Sequence, residues 1–143
     1  MIRLLGILLV MQRHPQFLYA ADKKDSILMA FEYRIVSEQE FRTKLIEALK
    51  NCPAKSVTGP GRSGAIAAAY TSHLLDIPFV PYGRKVGPDL QPLLIVDTAL
   101  YSGSTMRKAE KQYQGAHLIK RWLYAEPPMV RFWYEFPFDT ASA

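Results

Sequence analysis

The chain is poor in cysteine, in clustered histidine and in long apolar runs, and each shortage excludes a class of protein. With Cys52 as the only cysteine in 143 residues, no disulfide can close within the chain. That usage fits a reducing compartment, and a cytoplasmic protein is expected. His14, His73 and His117 lie far apart, without the spacing of a zinc site. No Gly-Lys-Ser/Thr occurs, so there is no Walker A loop, and the glycines do not follow the dinucleotide-binding pattern. The apolar stretch Leu4 to Met11 is far too short to span a bilayer and is interrupted by Gln12-Arg13-His14-Pro15. It is expected to be a buried strand or docked arm rather than a signal peptide, and no membrane partner is expected. There is no internal repeat, and the ten prolines and eight glycines are dispersed, so no segment is of low complexity. The formal charge of +5 suits anionic ligands, but the basic residues are scattered rather than striped, which argues against a nucleic-acid partner.

What is present is an alternation of strand-like and helix-like segments. The length suits one domain with a real core, read here as 1–143. Ile27 to Val36 reads as a strand. Ser37-Glu38-Gln39-Glu40 has the form of a capping box before Phe41, Leu45, Ile46 and Leu49 at helical spacing. Ser56-Val57-Thr58 is a short strand, Gly59 to Gly64 a loop, and Ala65 to Leu75 a helix with a small-residue face. Ile77 to Tyr82 reads as a strand and Gly83 to Pro92 as a polar loop. Leu93 to Asp97 is an apolar strand followed by a loop and a helix, and Ala116 to Leu123 is another strand. In the tail, Val130, Phe132, Tyr134 and Phe136 alternate with Arg131, Trp133 and Glu135, which predicts a strand through Phe136. This order predicts an α/β fold: a mainly parallel twisted sheet flanked by helices.

Two loops carry the chemistry. Each follows an apolar strand and precedes a helix, and in such sheets ligands bind at the carboxyl ends of the strands. In Gly59-Pro60-Gly61-Arg62-Ser63-Gly64, glycines let the backbone approach an anion and Arg62 can grip phosphate. In Tyr101-Ser102-Gly103-Ser104-Thr105, backbone N–H groups and small hydroxyls suit a phosphate. Asp97, at the strand end, suits sugar hydroxyls or a hydrated Mg²⁺. Phosphate, sugar and metal side by side point to a phosphorylated ribose.

The stretch Leu94-Ile95-Val96-Asp97-Thr98-Ala99-Leu100-Tyr101-Ser102-Gly103-Ser104-Thr105 resembles the phosphoribosyl pyrophosphate (PRPP) motif of type I phosphoribosyltransferases. Thr58-Gly59-Pro60-Gly61-Arg62-Ser63-Gly64-Ala65 is similar to that family's pyrophosphate loop, at the expected distance upstream. The resemblance covers about Ser56 to Leu123 and implies a core at about 37–124, with the N-terminal arm and C-terminal strand as a small variable hood or edge. It implies Mg²⁺-dependent transfer of ribose 5-phosphate from PRPP to a nucleobase-like acceptor, with release of pyrophosphate, by a homodimer in nucleotide metabolism.

By position, Thr98, Ala99 and Tyr101 to Thr105 would bind the 5′-phosphate, and Pro60, Gly61, Arg62, Ser63 and Gly64 the pyrophosphate. Asp97 would accept from the ribose hydroxyls and meet the metal only through ribose or water. Arg84 and Lys85 would begin a catalytic loop, and Trp122, Trp133 and Tyr134 are candidates to stack on the base. Two positions depart from the family pattern. Thr98 stands where a second acid is usual. Tyr101 replaces an aspartate that serves 6-oxopurines, and tyrosine is a poor base at neutral pH. An alternative function follows: a catalytically weakened PRPP- or nucleotide-binding regulator, or a partner-binding protein, on the same fold.

Overall fold

A computed structural model describes residues 33–125 and 129–135. Among them, 33–38 with 129–135 form one compact unit and 39–125 form another. The expected strand or arm at Leu4 to Met11, and the first part of the strand expected at Ile27 to Val36, lie outside the described residues.

In the smaller unit, strand β1 (Tyr33–Val36) pairs in parallel with the later strand at Met129–Phe132, Val36 opposite Phe132. The alternation read through Phe136 stops early: a 3-10 turn occupies Trp133–Glu135. The Phe132 N–H donates to Glu135 Oε2 (2.7 Å), and the Tyr134 ring stacks on Phe132 at 5.4 Å. A local carboxylate thus takes the amide that a continuing strand would have offered to a neighbour.

The larger unit begins with helix α1 (Glu38–Ala48), whose Phe41 and Leu45, one turn apart, are fully buried. Next come β2 (Ser56–Thr58), α2 (Gly61–Leu75), β3 (Leu93–Leu100), α3 (Ser104–Gln112) and β4 (Leu118–Ala125). The smaller unit's second strand is accordingly β5. The sheet order is β2-β3-β4, parallel throughout, with β3 in the centre. The segment expected as a strand at Ile77 to Tyr82 joins it only through a parallel bridge of Phe79 to Val57. Both faces of β3 are covered, which explains its unbroken apolar run. Leu93 and Ile95 pack with Met106, Ala109 and Tyr113 of the α3 segment. On the other face α2 lies against β2 and β3, and its buried Ala67 and Ala68 allow that close approach. Phe41 meets Tyr70 of α2 edge-on at 5.3 Å, adding α1 to the same layer. No helix among the described residues is long and apolar enough to cross a membrane.

Candidate functional site

At its carboxyl end each of the parallel strands β2 and β3 leads into a helix; β2 stops opposite Ile95, while β3 runs on to Leu100. Neither helix has a side-chain cap or an acidic residue in its first turn. The positive end of each helix dipole therefore faces the carboxyl ends of the strands with no acidic side chain to neutralise it, which favours an anion there.

The first junction is tighter than the sequence suggests. Gly61 to Gly64, read as loop, already form the first turn of α2, leaving Gly59 and Pro60 as the connection. A Cβ on Gly59 would lie 1.9 Å from the Gly64 carbonyl oxygen, and one on Gly64 would lie 2.7 Å from the Gly59 carbonyl carbon. Backbone against backbone is possible only with glycine at both places, and this contact folds Pro60–Gly64 over the strand end. Arg62 is exposed there and Ser63 half-buried. Behind them the Thr58 hydroxyl is buried and is the one buried side-chain polar atom without a hydrogen-bond partner among the described residues.

In the second junction β3 runs on through Thr98, Ala99 and Leu100, so the loop proper is Tyr101, Ser102 and Gly103. Gly103 has φ +74°, a conformation that favours glycine. Ser102 Oγ accepts the Ser104 N–H (3.3 Å) and lies 3.1 Å from Ser104 Oγ. Arg107, one turn into α3, folds back so that its Nη1 donates to the Ser102 carbonyl oxygen (3.1 Å). A Cβ on Gly103 would lie 3.0 Å from that Nη1, so the absent side chain is what leaves room for the guanidinium. Sequence reading missed Arg107. The signal was a glycine at the helix cap with a cation four residues on.

Asp97 stands on β3 between the two junctions and is 7 % exposed. The hydrogen bond its carboxylate makes is from the Thr98 N–H to Oδ1 (2.8 Å), and no cation is paired with it among the described residues. Burial raises its pKa above the usual aspartate value of 3.8, opposed in part by that hydrogen bond. Strand alternation sends Thr98, also buried, to the opposite face. Trp122 of β4 is the register partner of Asp97 on the same face, one strand spacing of about 4.8 Å away, and is exposed. No group of three or more His, Cys, Asp or Glu able to hold a metal occurs among the described residues. A single buried carboxylate without a countercharge still fits Mg²⁺, which binds through one or two carboxylates plus substrate phosphates and keeps several waters.

The residues from Pro60 to Gly64, Asp97 to Thr105, and Trp122 thus share one sheet edge. Arg84 and Lys85 are exposed in the segment between Tyr82 and Leu93, which returns to the amino end of β3. Trp133 and Tyr134 fall in the other compact unit, their rings edge-to-face at 4.9 Å.

No protein-family model matches the chain, and no curated protein does. Solved structures do. A purine phosphoribosyltransferase from Pyrococcus horikoshii Ot3 superposes with TM-score 0.62 at 18 % identity, over 74 % of this chain and 96 % of that one. Helicobacter pylori xanthine-guanine-hypoxanthine phosphoribosyltransferase superposes with TM-score 0.59 at 13 % identity, over 72 % and 92 %. At such identities the likeness speaks for the fold alone, and the fold is that of the type I phosphoribosyltransferases.

Proposed function

We propose that the protein is a Mg²⁺-dependent phosphoribosyltransferase that moves ribose 5-phosphate from PRPP to a nitrogen of a nucleobase-like acceptor and releases pyrophosphate. The observation that carries the reading is the pair of acid-free helix N-termini at the carboxyl ends of β2 and β3, with the buried carboxylate of Asp97, unpaired with any cation among the described residues, on β3. Anion, hydroxyl-bearing sugar, anion is the order of groups in PRPP. The first turn of α3, the hydroxyls of Ser102 and Ser104, and Arg107 hold the 5′-phosphate. The first turn of α2, with Arg62, holds the pyrophosphate. Asp97 accepts from the ribose hydroxyls, and Trp122, next to it in the sheet, offers a face for the base.

In the reaction a bond forms from the acceptor nitrogen to the anomeric carbon as the carbon–oxygen bond to pyrophosphate breaks. Charge builds on the sugar and on the leaving group. Asp97 opposes the first, while the α2 amides, Arg62 and, from the loop, Arg84 and Lys85 oppose the second. Mg²⁺, when bound, adds charge neutralisation at the pyrophosphate and templates it against the ribose. The acceptor is held by the base face and positioned for in-line attack. A homodimer in the cytoplasm is the proposed setting.

The test is pyrophosphate release from PRPP and Mg²⁺ across a panel of nucleobases. Release with one base and its loss in Asp97→Ala support the reading; no release with any base rejects the enzyme. A second reading has its own observation. With Thr98 at the second position, Asp97 is the only acid on β3, which fits a PRPP sensor without turnover. Calorimetry distinguishes it, as binding of PRPP and Mg²⁺ that Asp97→Ala abolishes, with no pyrophosphate formed.

A further inference from the structure

The segment between Tyr82 and Leu93 is tied down at named points, and one tie bears on the site. Pro81 to Arg84 form a turn closed by the Arg84 N–H donating to the Pro81 carbonyl (3.1 Å). Within that turn the Gly83 N–H donates to the Tyr113 hydroxyl (2.8 Å), and the Tyr82 and Tyr113 rings meet edge-on at 5.9 Å. Tyr113 caps the C-terminal end of α3 and is 5 % exposed. Further along, Val86 and Leu90 pack on the cluster that contains Tyr113, and Ser56 Oγ donates to the Leu90 carbonyl (2.6 Å) at the amino end of β2.

The direction of these ties matters. Helix α3 starts at the ligand edge of the sheet and runs back, because it joins two adjacent parallel strands. Its last residue is therefore at the end far from the phosphate loop. The bond to Tyr113 draws Gly83, and with it Arg84 and Lys85, along the helix away from the strand ends. Between that bond and the apolar anchor at Val86, these two exposed cations sit on a bight of two residues.

We infer that Tyr113 is a positioning residue: its hydroxyl latches Gly83 and holds Arg84 and Lys85 back from the ligand edge until PRPP draws them over. This rests on the PRPP reading above. For the cations to reach a pyrophosphate at the first turn of α2, the Gly83–Tyr113 hydrogen bond has to open, while the anchors at Val86 and Leu90 can stay. The latch therefore opposes ligand binding by about the worth of one hydrogen bond. Tyr113→Phe keeps the ring and its packing and removes only the acceptor.

The experiment uses the full chain. In Tyr113→Phe, amide exchange at Gly83 rises about fivefold without ligand, and the Kd for PRPP with Mg²⁺ falls about fivefold, the scale of a net hydrogen bond. Tyr82→Phe, which keeps the ring contact and the latch, leaves both unchanged. Unchanged Gly83 exchange in Tyr113→Phe overturns the latch, and so does faster exchange with unaltered PRPP affinity. If wild type and variant both fail to bind PRPP, the proposed function falls instead, and Gly83 exchange still decides whether the hydroxyl holds the loop.

Discussion

The two strand-to-helix junctions follow adjacent parallel strands, yet they are built differently. The junction after β2 is locked by backbone: Gly59 and Gly64 touch so closely that no side chain fits at either. The junction after β3 is held by side chains, with Ser102, Ser104 and Arg107 arranged around a Gly103 whose nearest neighbour is the movable end of that arginine. A rigid cradle suits a group of fixed shape that arrives and leaves. An adjustable one suits a phosphate gripped by hydroxyls and a guanidinium that give up their present partners to it.

Substitutions break this comparison in a definite order. Gly59→Ala has the largest effect, because its Cβ would lie 1.9 Å from a backbone oxygen that no rotamer change can move. It costs more than about 3 kcal/mol, seen as a collapse of the thermal midpoint. Gly103→Ala, which displaces only a side-chain end and strains φ, costs about 1–2 kcal/mol.

Asp97→Asn separates binding from folding. The Asn oxygen keeps the Thr98 N–H, but the buried charge, unpaired among the described residues, is gone, so the free protein melts a few degrees higher (about 1 kcal/mol) and no longer binds PRPP and Mg²⁺. The sign follows from burial, which raises the Asp97 pKa. The stability contributed by its neutral form is present below the ordinary aspartate range and is lost as pH rises through the raised value. Ligand binding needs the ionised form, so affinity falls on acidification at a higher pH than an ordinary aspartate would give. Calorimetry over a pH series, with Thr98→Ala as a control that keeps this acid limb, checks it.

Smaller effects sharpen the contrast. Arg107→Gln weakens PRPP binding about tenfold, on the scale of a charge-assisted hydrogen bond, without moving the thermal midpoint; equal affinity in variant and wild type would remove Arg107 from the phosphate site. Thr58→Val replaces the buried unpartnered hydroxyl by a methyl group. It stabilises the free protein by about 1 kcal/mol, measured by denaturant unfolding, and any accompanying loss of PRPP affinity shows that this hydroxyl contributes to ligand binding.

Much of the site was legible in the chain because its signals are local. The run Leu93 to Val96 ending in Asp97, then small hydroxyl residues and one glycine, allows little else than a buried parallel strand delivering its end to a helix. Other features needed distant partners. Gly61 to Gly64 look like loop by composition, yet they form the first turn of α2, with the Gly64 backbone packed against Gly59. Ile77 to Tyr82 has the composition of a strand, yet Phe79 alone bridges to Val57 before Pro81 turns the chain. Glu40, read as reaching back in a capping box, accepts from the Tyr124 hydroxyl at 2.9 Å, a partner 84 residues away.

Apolar continuity, the placing of glycines and the acid at a strand end determined by themselves the α/β class, the central strand and the two strand-to-helix junctions, because periodicity and backbone freedom act over a few residues. Tertiary structure decided what depends on pairing across the sheet: that Trp122 stands beside Asp97, that no cation among the described residues pairs with the buried Asp97, and that Gly83, next to Arg84 and Lys85, bonds to Tyr113 at the far end of α3. Those relations are set by strand register and helix direction, which no local stretch of residues encodes.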